Sequence, residues 1–147
     1  MIVRPLEPGD RTAWNRLWTG YLAFYETDLD PAITNRTWAR LHDPAEPVHG
    51  LVAVRDRTVV GITHHVFHRS TWSAGSYCYL EDLFTDPAAR GLGVATALIE
   101  ATASAATEAG ATKLYWQTHV DNVTARRLYD RLATHDGFLV YERDLSA

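Results

Sequence analysis

Between Tyr77 and His119 the chain reads as strand, loop, long helix, strand, and this order constrains the fold more than any other feature. Tyr77 to Thr85 is a strand, Asp86-Pro87 opens a loop, and Gly91 to Ala109 carries Val94, Leu98, Ala101 and Ala105 on one helical stripe before the stop at Gly110. Lys113 to His119 is again a strand. Two strands joined through a helix need a crossover, so they are expected to lie parallel and adjacent. Upstream, Val48–Arg55 and Thr58–His68 flank a tight Asp56-Arg57 turn, which predicts a hairpin. Ile2–Leu6 is a further strand. Asp10 can cap a helix bearing Trp14, Leu17, Trp18, Tyr21, Leu22 and Tyr25, and Asp30-Pro31 starts a second helix to Leu41. Asn122 to His135 is helical, with Ala125, Leu128, Tyr129 and Leu132 facing inward, and Phe138–Leu145 is strand-like. The resulting order β-α-α-β-β-β-α-β-α-β predicts an α/β (α+β) fold: a mixed central sheet with helices on both faces, in one domain across residues 1–147. Ligands gather at the carboxyl ends of such strands, which directs attention to the loop after Thr85.

Composition narrows the function. With 46% hydrophobic and 22% charged residues, the chain has the make-up of a folded domain, and no apolar run approaches the roughly 20 residues that cross a bilayer. No secretion signal is visible in Met1-Ile2-Val3-Arg4-Pro5, and a single cysteine, Cys78, excludes an intrachain disulfide framework. A cytoplasmic location is the expectation. Eighteen acidic side chains against fourteen basic ones give a net charge of −4, with the arginines scattered. That balance argues against nucleic acid and suits a neutral or cationic small partner.

Arg90-Gly91-Leu92-Gly93-Val94-Ala95-Thr96 separates the strand from the long helix. A helix start offers free N–H groups and the positive end of a dipole, glycines allow close main-chain approach, and arginine adds a fork of donors; together these suit an anion. The competing explanation is glycine used for close packing against the sheet. A Walker loop is excluded because no Gly-Lys-Ser/Thr follows. A dinucleotide fingerprint is disfavoured because Thr96 stands at its third glycine and Asp86–Arg90 intervene after the strand.

The stretch Tyr79-Leu80-Glu81-Asp82-Leu83-Phe84-Thr85-Asp86-Pro87-Ala88-Ala89-Arg90-Gly91-Leu92-Gly93-Val94-Ala95 resembles the acetyl-CoA-binding motif of the GCN5-related N-acetyltransferases. Asn122-Val123-Thr124-Ala125-Arg126-Arg127-Leu128-Tyr129 is similar to that family's second motif. Leu80-Glu81-Asp82 with two apolar residues after it, and the early Tyr25-Glu26, look like the spermidine/spermine (diamine) branch. The resemblance implies acetyl-CoA as cofactor. Leu83, Phe84 and Thr85 would pair with its pantetheine arm, and Arg90, Gly91, Leu92, Gly93, Val94, Ala95 and Thr96 would hold its pyrophosphate. Asn122 and Ala125 would line its other side, and Tyr129 would protonate the leaving thiolate. Ala95 replaces the motif's last glycine. The seven residues Asp130–Asp136 between Tyr129 and Gly137 imply a last helix about a turn longer than usual.

The chemistry also follows from the groups. A primary amine is protonated at neutral pH in all but about one molecule in a thousand, so acyl transfer to it needs a base. Adjacent carboxylates inside a central strand ask for an explanation. Glu81 is the expected base, directly or through water, and Asp82 the group that orients a neighbour or attracts the amine. Period-two geometry sends the two to opposite faces. On the substrate side, Tyr25, Glu26 and Asp28 form an acidic, aromatic loop suited to a cation, and Tyr115 and Gln117 are further candidates. His64 and His68 stand about 13 Å apart on one strand face, too far to share a metal. His64 and His65 read as packed or surface residues, Cys78 as a buried apolar one, and Trp72 as exposed. The expected reaction is direct acetyl transfer, in a ternary complex, to the primary amine of a small, polyamine-like molecule. An amino acid or protein lysine is the competing acceptor, a non-catalytic acyl-CoA sensor the competing class, and a homodimer the expected assembly.

Overall fold

The computed structural model describes residues 1–146, which form two compact units, residues 1–117 and the segment from Thr118 onward. The first unit is built on one sheet of five strands in chain order: β1 (Ile2–Pro5), β2 (Val48–Arg55), β3 (Thr58–Arg69), β4 (Ser76–Thr85) and β5 (Ala111–Tyr115). The first four run antiparallel, and β4–β5 is the parallel pair that the crossover requires. Asp56 and Arg57 both adopt positive φ, 49° and 65°, in the β2–β3 turn. That conformation matches the twist of a tight hairpin.

Helices cover both faces, as the element order predicted. On one side α1 (Arg11–Phe24) and α2 (Pro31–Leu41) pack Trp14, Leu17 and Trp18 against Val52, Ile62 and Phe84, with Trp38 and Leu41 alongside. On the other, α3 (Val94–Glu108) sets Val94 and Leu98 against Leu51, Ala53 and Val60. Residues 51–53 are therefore buried whichever way they point. A Cβ at Gly61 would stand 2.7 Å from Val94 Cγ1 and 2.9 Å from Leu98 Cδ1, so β3 gives up a side chain to seat the first turns of α3.

Asp10 stands at the start of α1 as expected but does not cap it. Its carboxylate instead takes two hydrogen bonds from Arg4 (2.8 and 2.9 Å) and one from the Glu7 amide (2.8 Å). The Arg4 hydrogen bond is the main reason its pKa lies below the ordinary carboxylate range.

Several boundaries depart from expectation. Strand β5 ends at Tyr115, not His119. Helix α3 begins at Val94 because Gly91 and Gly93 are both left-handed. In the second unit α4 (Val123–Leu132) is capped by the Asn122 side chain, which accepts from the Ala125 amide at 3.2 Å. It stops at Leu132, where Ala133 turns extended, so the longer helix to His135 does not form. Residues 138–145 form no strand: Phe138, Leu139, Val140, Tyr141 and Leu145 are all exposed, and no ladder partner lies beside them among the described residues. Strand propensity needs a neighbouring edge to become structure. Among the described residues no helix is long and apolar enough to cross a membrane.

Candidate active site

The loop leaving β4 is fixed at its first residue. Asp86 accepts from the Ala88 amide (3.0 Å), opening one turn of tight helix, and from Arg16 Nη1 (2.6 Å), while Arg16 Nη2 donates to the Val59 carbonyl (2.9 Å). The Ala88 amide and then Arg16 hold the Asp86 carboxyl below its ordinary range. The chain next passes through Gly91 (φ 78°) and Gly93 (φ 79°) into α3. No atom lies within 4 Å of where a Cβ would stand at either glycine. Backbone conformation, not close packing, therefore demands glycine at both places, and the packing explanation fails. No side chain caps α3, whose first bond runs from the Ala97 amide to the Gly93 carbonyl (3.1 Å). The helix thus presents uncapped first-turn amides and its positive dipole end, a combination that favours an anion. Arg90 is exposed nearby, its guanidinium 5.8 Å from the centre of the Phe84 ring.

The sheet opens just before this turn. The β4–β5 ladder ends at Tyr79–Tyr115, whereas β3 accompanies β4 to the Gly61–Thr85 pair. From Leu80 to Thr85, β4 has a ladder on one side only. Leu83, Phe84 and Thr85 lie on that half-open stretch, with Phe84 buried and the Thr85 hydroxyl buried without a hydrogen-bond partner among the described residues.

The two carboxylates break the expected alternation. Leu80 pairs with His65 and Asp82 with His64, leaving Glu81 as an extra residue. A bulge of this kind cancels strict period two, so alternation along the strand does not decide the faces of Glu81 and Asp82. Glu81 sits in the field of Asp82: burial raises the Glu81 pKa first, and the Asp82 charge raises it further. Asp82 Oδ2 lies 2.9 Å from His64 Nδ1, and His64 Nε2 lies 2.9 Å from Trp14 Nε1. Tyr21 lies in the field of Asp82: its phenol is pushed far above its ordinary pKa, mainly by burial and then by the Asp82 charge.

This polar chain continues into the aromatic series of α1. Tyr21 stacks on Trp18 (centroids 5.1 Å) and meets Tyr25 at 4.9 Å. Tyr25, Glu26 and Asp28 are exposed at the end of that series, with Glu26 turned to a positive φ of 51°. Tyr21 thereby meets the first residue of the acidic loop while lying in the field of Asp82. Tyr115 stacks on Tyr79 (4.9 Å) where the ladder ends, and its hydroxyl donates to His68 Nε2 at 2.7 Å. Burial is the main cause of its raised pKa, followed by Cys78 and Glu81. Gln117 lies beyond β5 and is exposed, so no strand register brings it to the opening. Asn122, Ala125 and Tyr129 belong to the second unit, on and at the cap of α4.

His64, His65 and Cys78 are all buried, the Cys78 thiol with its pKa pushed up to about 11, and Trp72 is 89% exposed. Arg16, Trp14 and Tyr21 are site-forming residues that the sequence reading took only as helix positions or missed. The period of α1 put Trp14 and Tyr21 on the core stripe, but only the strand register reveals their polar partners.

With this geometry in place, relatives can be compared. The acetyltransferase (GNAT) family model matches residues 11–133, and the chain belongs to that family. It is therefore an acetyl-CoA-dependent N-acetyltransferase by class. The chain is 34% identical to the D-amino-acid N-acetyltransferase HPA3 of Saccharomyces cerevisiae over 98% of its length and 91% of that protein. It is 30% identical to a thialysine N-epsilon-acetyltransferase of Caenorhabditis elegans over 68% of its length and 65% of that protein. Among solved structures, a ribosomal-protein-alanine N-acetyltransferase from Brucella melitensis shares the fold at a TM-score of 0.80 and 20% identity, covering 99% of this chain and all of that one.

Proposed function

We propose that this chain acetylates the primary amine of an amino-acid-sized small molecule that arrives as a cation. The observation that carries the reading is the Glu81–Asp82 pair at the bulge of β4, set where the sheet opens, on the strand whose outgoing loop leads into the uncapped start of α3. The uncapped first turn of α3, the open space at Gly91 and Gly93, and the half-open edge of β4 all fit acetyl-CoA. On this reading, amides of Gly91–Thr96 and the Arg90 side chain hold the pyrophosphate, and the main chain of Leu83–Thr85 pairs with the pantetheine arm. Asn122 and Ala125 line the cofactor's far side. Acetyl-CoA supplies an acetyl thioester.

Asp82 receives the ammonium, aided by Tyr25, Glu26 and Asp28 on the approach, with Tyr115 at the end of the β5 ladder. Glu81, alone or through water, takes the amine's proton; its raised pKa makes it a better base than an ordinary carboxylate. A main-chain N–H near Leu83–Phe84 faces the charge that builds on the carbonyl oxygen. Tyr129 gives its proton to the sulfur, a role that rests on the family's second motif. Because the family match runs from residue 11 to 133, both compact units serve one acetyltransferase domain on this reading.

Two relatives named for amino-acid acceptors support the acceptor's size class. A polyamine-like acceptor is the second reading, favoured by the carboxylates of Glu26, Asp28 and Asp30 exposed after α1. Homodimer formation is supported by Trp72 and the apolar side chains exposed along 138–145. A cytoplasmic site of action accords with a single, buried thiol. Thiol release from acetyl-CoA, measured against D-alanine, thialysine, spermidine and a lysine peptide, tests the whole. Release with a small amine is expected. Tight acetyl-CoA binding with no thiol released by any amine would leave only a sensor.

A further inference from the structure

Two polar groups of the hydrogen-bonded chain that ends on Asp82, those of Trp14 and His64, are buried in the core beneath it, where a polar group needs a reason to be. Trp14 is fully buried, His64 is 2% exposed, and Tyr21 is half-buried. An indole N–H can only donate, so His64 Nε2, 2.9 Å from Trp14 Nε1, is the bare ring nitrogen and Nδ1 carries the hydrogen. Nδ1–H then donates to Asp82 Oδ2 at 2.9 Å. A donor from the neighbouring strand β3 thus fixes the carboxylate, whose side chain remains 14% exposed. A carboxylate has about four lone-pair directions, so one bond from His64 leaves the others open to a ligand. The surrounding rings leave the imidazole no freedom to turn: Trp14 and Trp18 stand with centroids 5.9 and 5.1 Å from it. With Nε2 committed to the indole, the ring cannot flip to offer its other nitrogen without leaving a buried N–H unpaired.

We propose that His64 is a positioning residue for the acceptor: locked by Trp14 as the Nδ1–H tautomer, it turns the Asp82 carboxylate toward the incoming ammonium and so selects acceptors that arrive charged. This rests on the acetyl transfer proposed above and deepens it. His64 touches neither acceptor nor thioester, and the amine's proton still leaves to Glu81 or water. The preference follows from charge: an aliphatic amine reaches Asp82 as a cation, whereas a weakly basic amine such as methoxyamine arrives neutral and gains far less from an oriented carboxylate.

The test uses the whole chain with thialysine as the cationic acceptor and methoxyamine as the neutral one. In the wild type, nitrogen NMR of labelled histidine should show one buried imidazole with Nδ1 protonated and Nε2 bare; the reverse tautomer overturns the proposal, and this reading needs no variant to fold. His64→Leu removes the donor and should raise the KM for thialysine about ten- to a hundredfold, the scale of a lost hydrogen bond to a charge. The KM for acetyl-CoA should stay near its starting value, and methoxyamine turnover should change little. His64→Asn, whose amide N–H can occupy the place of Nδ1–H, should recover most of the lost thialysine affinity. A merely structural histidine would move both KM values and both acceptors together, which overturns the proposal. So does a folded His64→Leu with unchanged thialysine KM, or an Asn variant no better than Leu. If the wild type acetylates none of the amines, the proposed function fails; if it does and only these comparisons fail, the role of His64 alone is lost.

Discussion

Alanine at position 61 should damage the seat of α3. The new Cβ would stand 2.7 Å from Val94 Cγ1 and 2.9 Å from Leu98 Cδ1, where ordinary carbon contacts are about 3.5–4.0 Å. Both neighbours are buried, at 2% and 0% exposure, so neither can swing into solvent, and the first two turns of α3 must lift by nearly an ångström. Overpacking of this kind costs about 1–3 kcal/mol, offset by about 0.5–1 kcal/mol because alanine has less freedom to lose than glycine. A net loss of about 1–2 kcal/mol in a chain of this length lowers Tm by about 2–8 °C. The lifted turn is the one proposed to hold the pyrophosphate, so the KM for acetyl-CoA should rise in parallel. Val94→Ala removes the nearest obstructing methyl, and in the Gly61→Ala/Val94→Ala pair the two losses should sum to less than their separate values by at least about 0.5 kcal/mol. Scanning calorimetry on the four proteins decides it. A Gly61→Ala protein that melts at or above the wild type, or strictly additive losses in the pair, would refute the packing argument.

Other expectations follow from single residues. Gly93→Ala forces a side chain into φ 79° and should cost about 1 kcal/mol or more in stability and weaken acetyl-CoA binding, read by calorimetry and by titration. Tyr129→Phe should lower turnover with acetyl-CoA affinity nearly unchanged; loss of binding would mean the hydroxyl serves the donor instead. Burial depresses the His65 pKa to about 4 from the ordinary 6.5, with His49 and His64 adding to the effect. Between those values the unfolded chain binds the extra proton, so stability should fall as pH drops from 6.5 toward 4, and His65→Phe should flatten that slope in urea melts. The Asp10 pKa is also lowered, which in an acid favours the charged form, so its contribution is full above pH 3.8 and is lost as pH falls below that value; Asp10→Asn should erase this limb.

Periodicity and crossover logic carried most of the architecture, because each depended on residues a few positions apart. The α1 stripe, the Asp56-Arg57 hairpin and the parallel β4–β5 pair were all visible in that way. The glycine turn was legible too, since Gly91 and Gly93 announce left-handed backbone locally. What stayed hidden depended on register. One extra residue at Glu81 exchanges the faces of everything that follows, and nothing in Leu80-Glu81-Asp82 marks which residue will be looped out. His64 looked like any packed histidine because its partners, Trp14 and Asp82, lie 50 and 18 positions away. The tail misled for a complementary reason: Phe138-Leu139-Val140-Tyr141 has strand composition, but composition does not supply an edge.

Cys78 has a practical corollary. The chain's one sulfhydryl is sealed inside the sheet, with its ionisation pushed to about pH 11. A chromogenic disulfide reagent attacks thiolates that it can reach, and here the protein offers it none. Continuous colorimetric detection of liberated coenzyme can therefore run in the same cuvette as the enzyme, without background from the catalyst and without inactivating it.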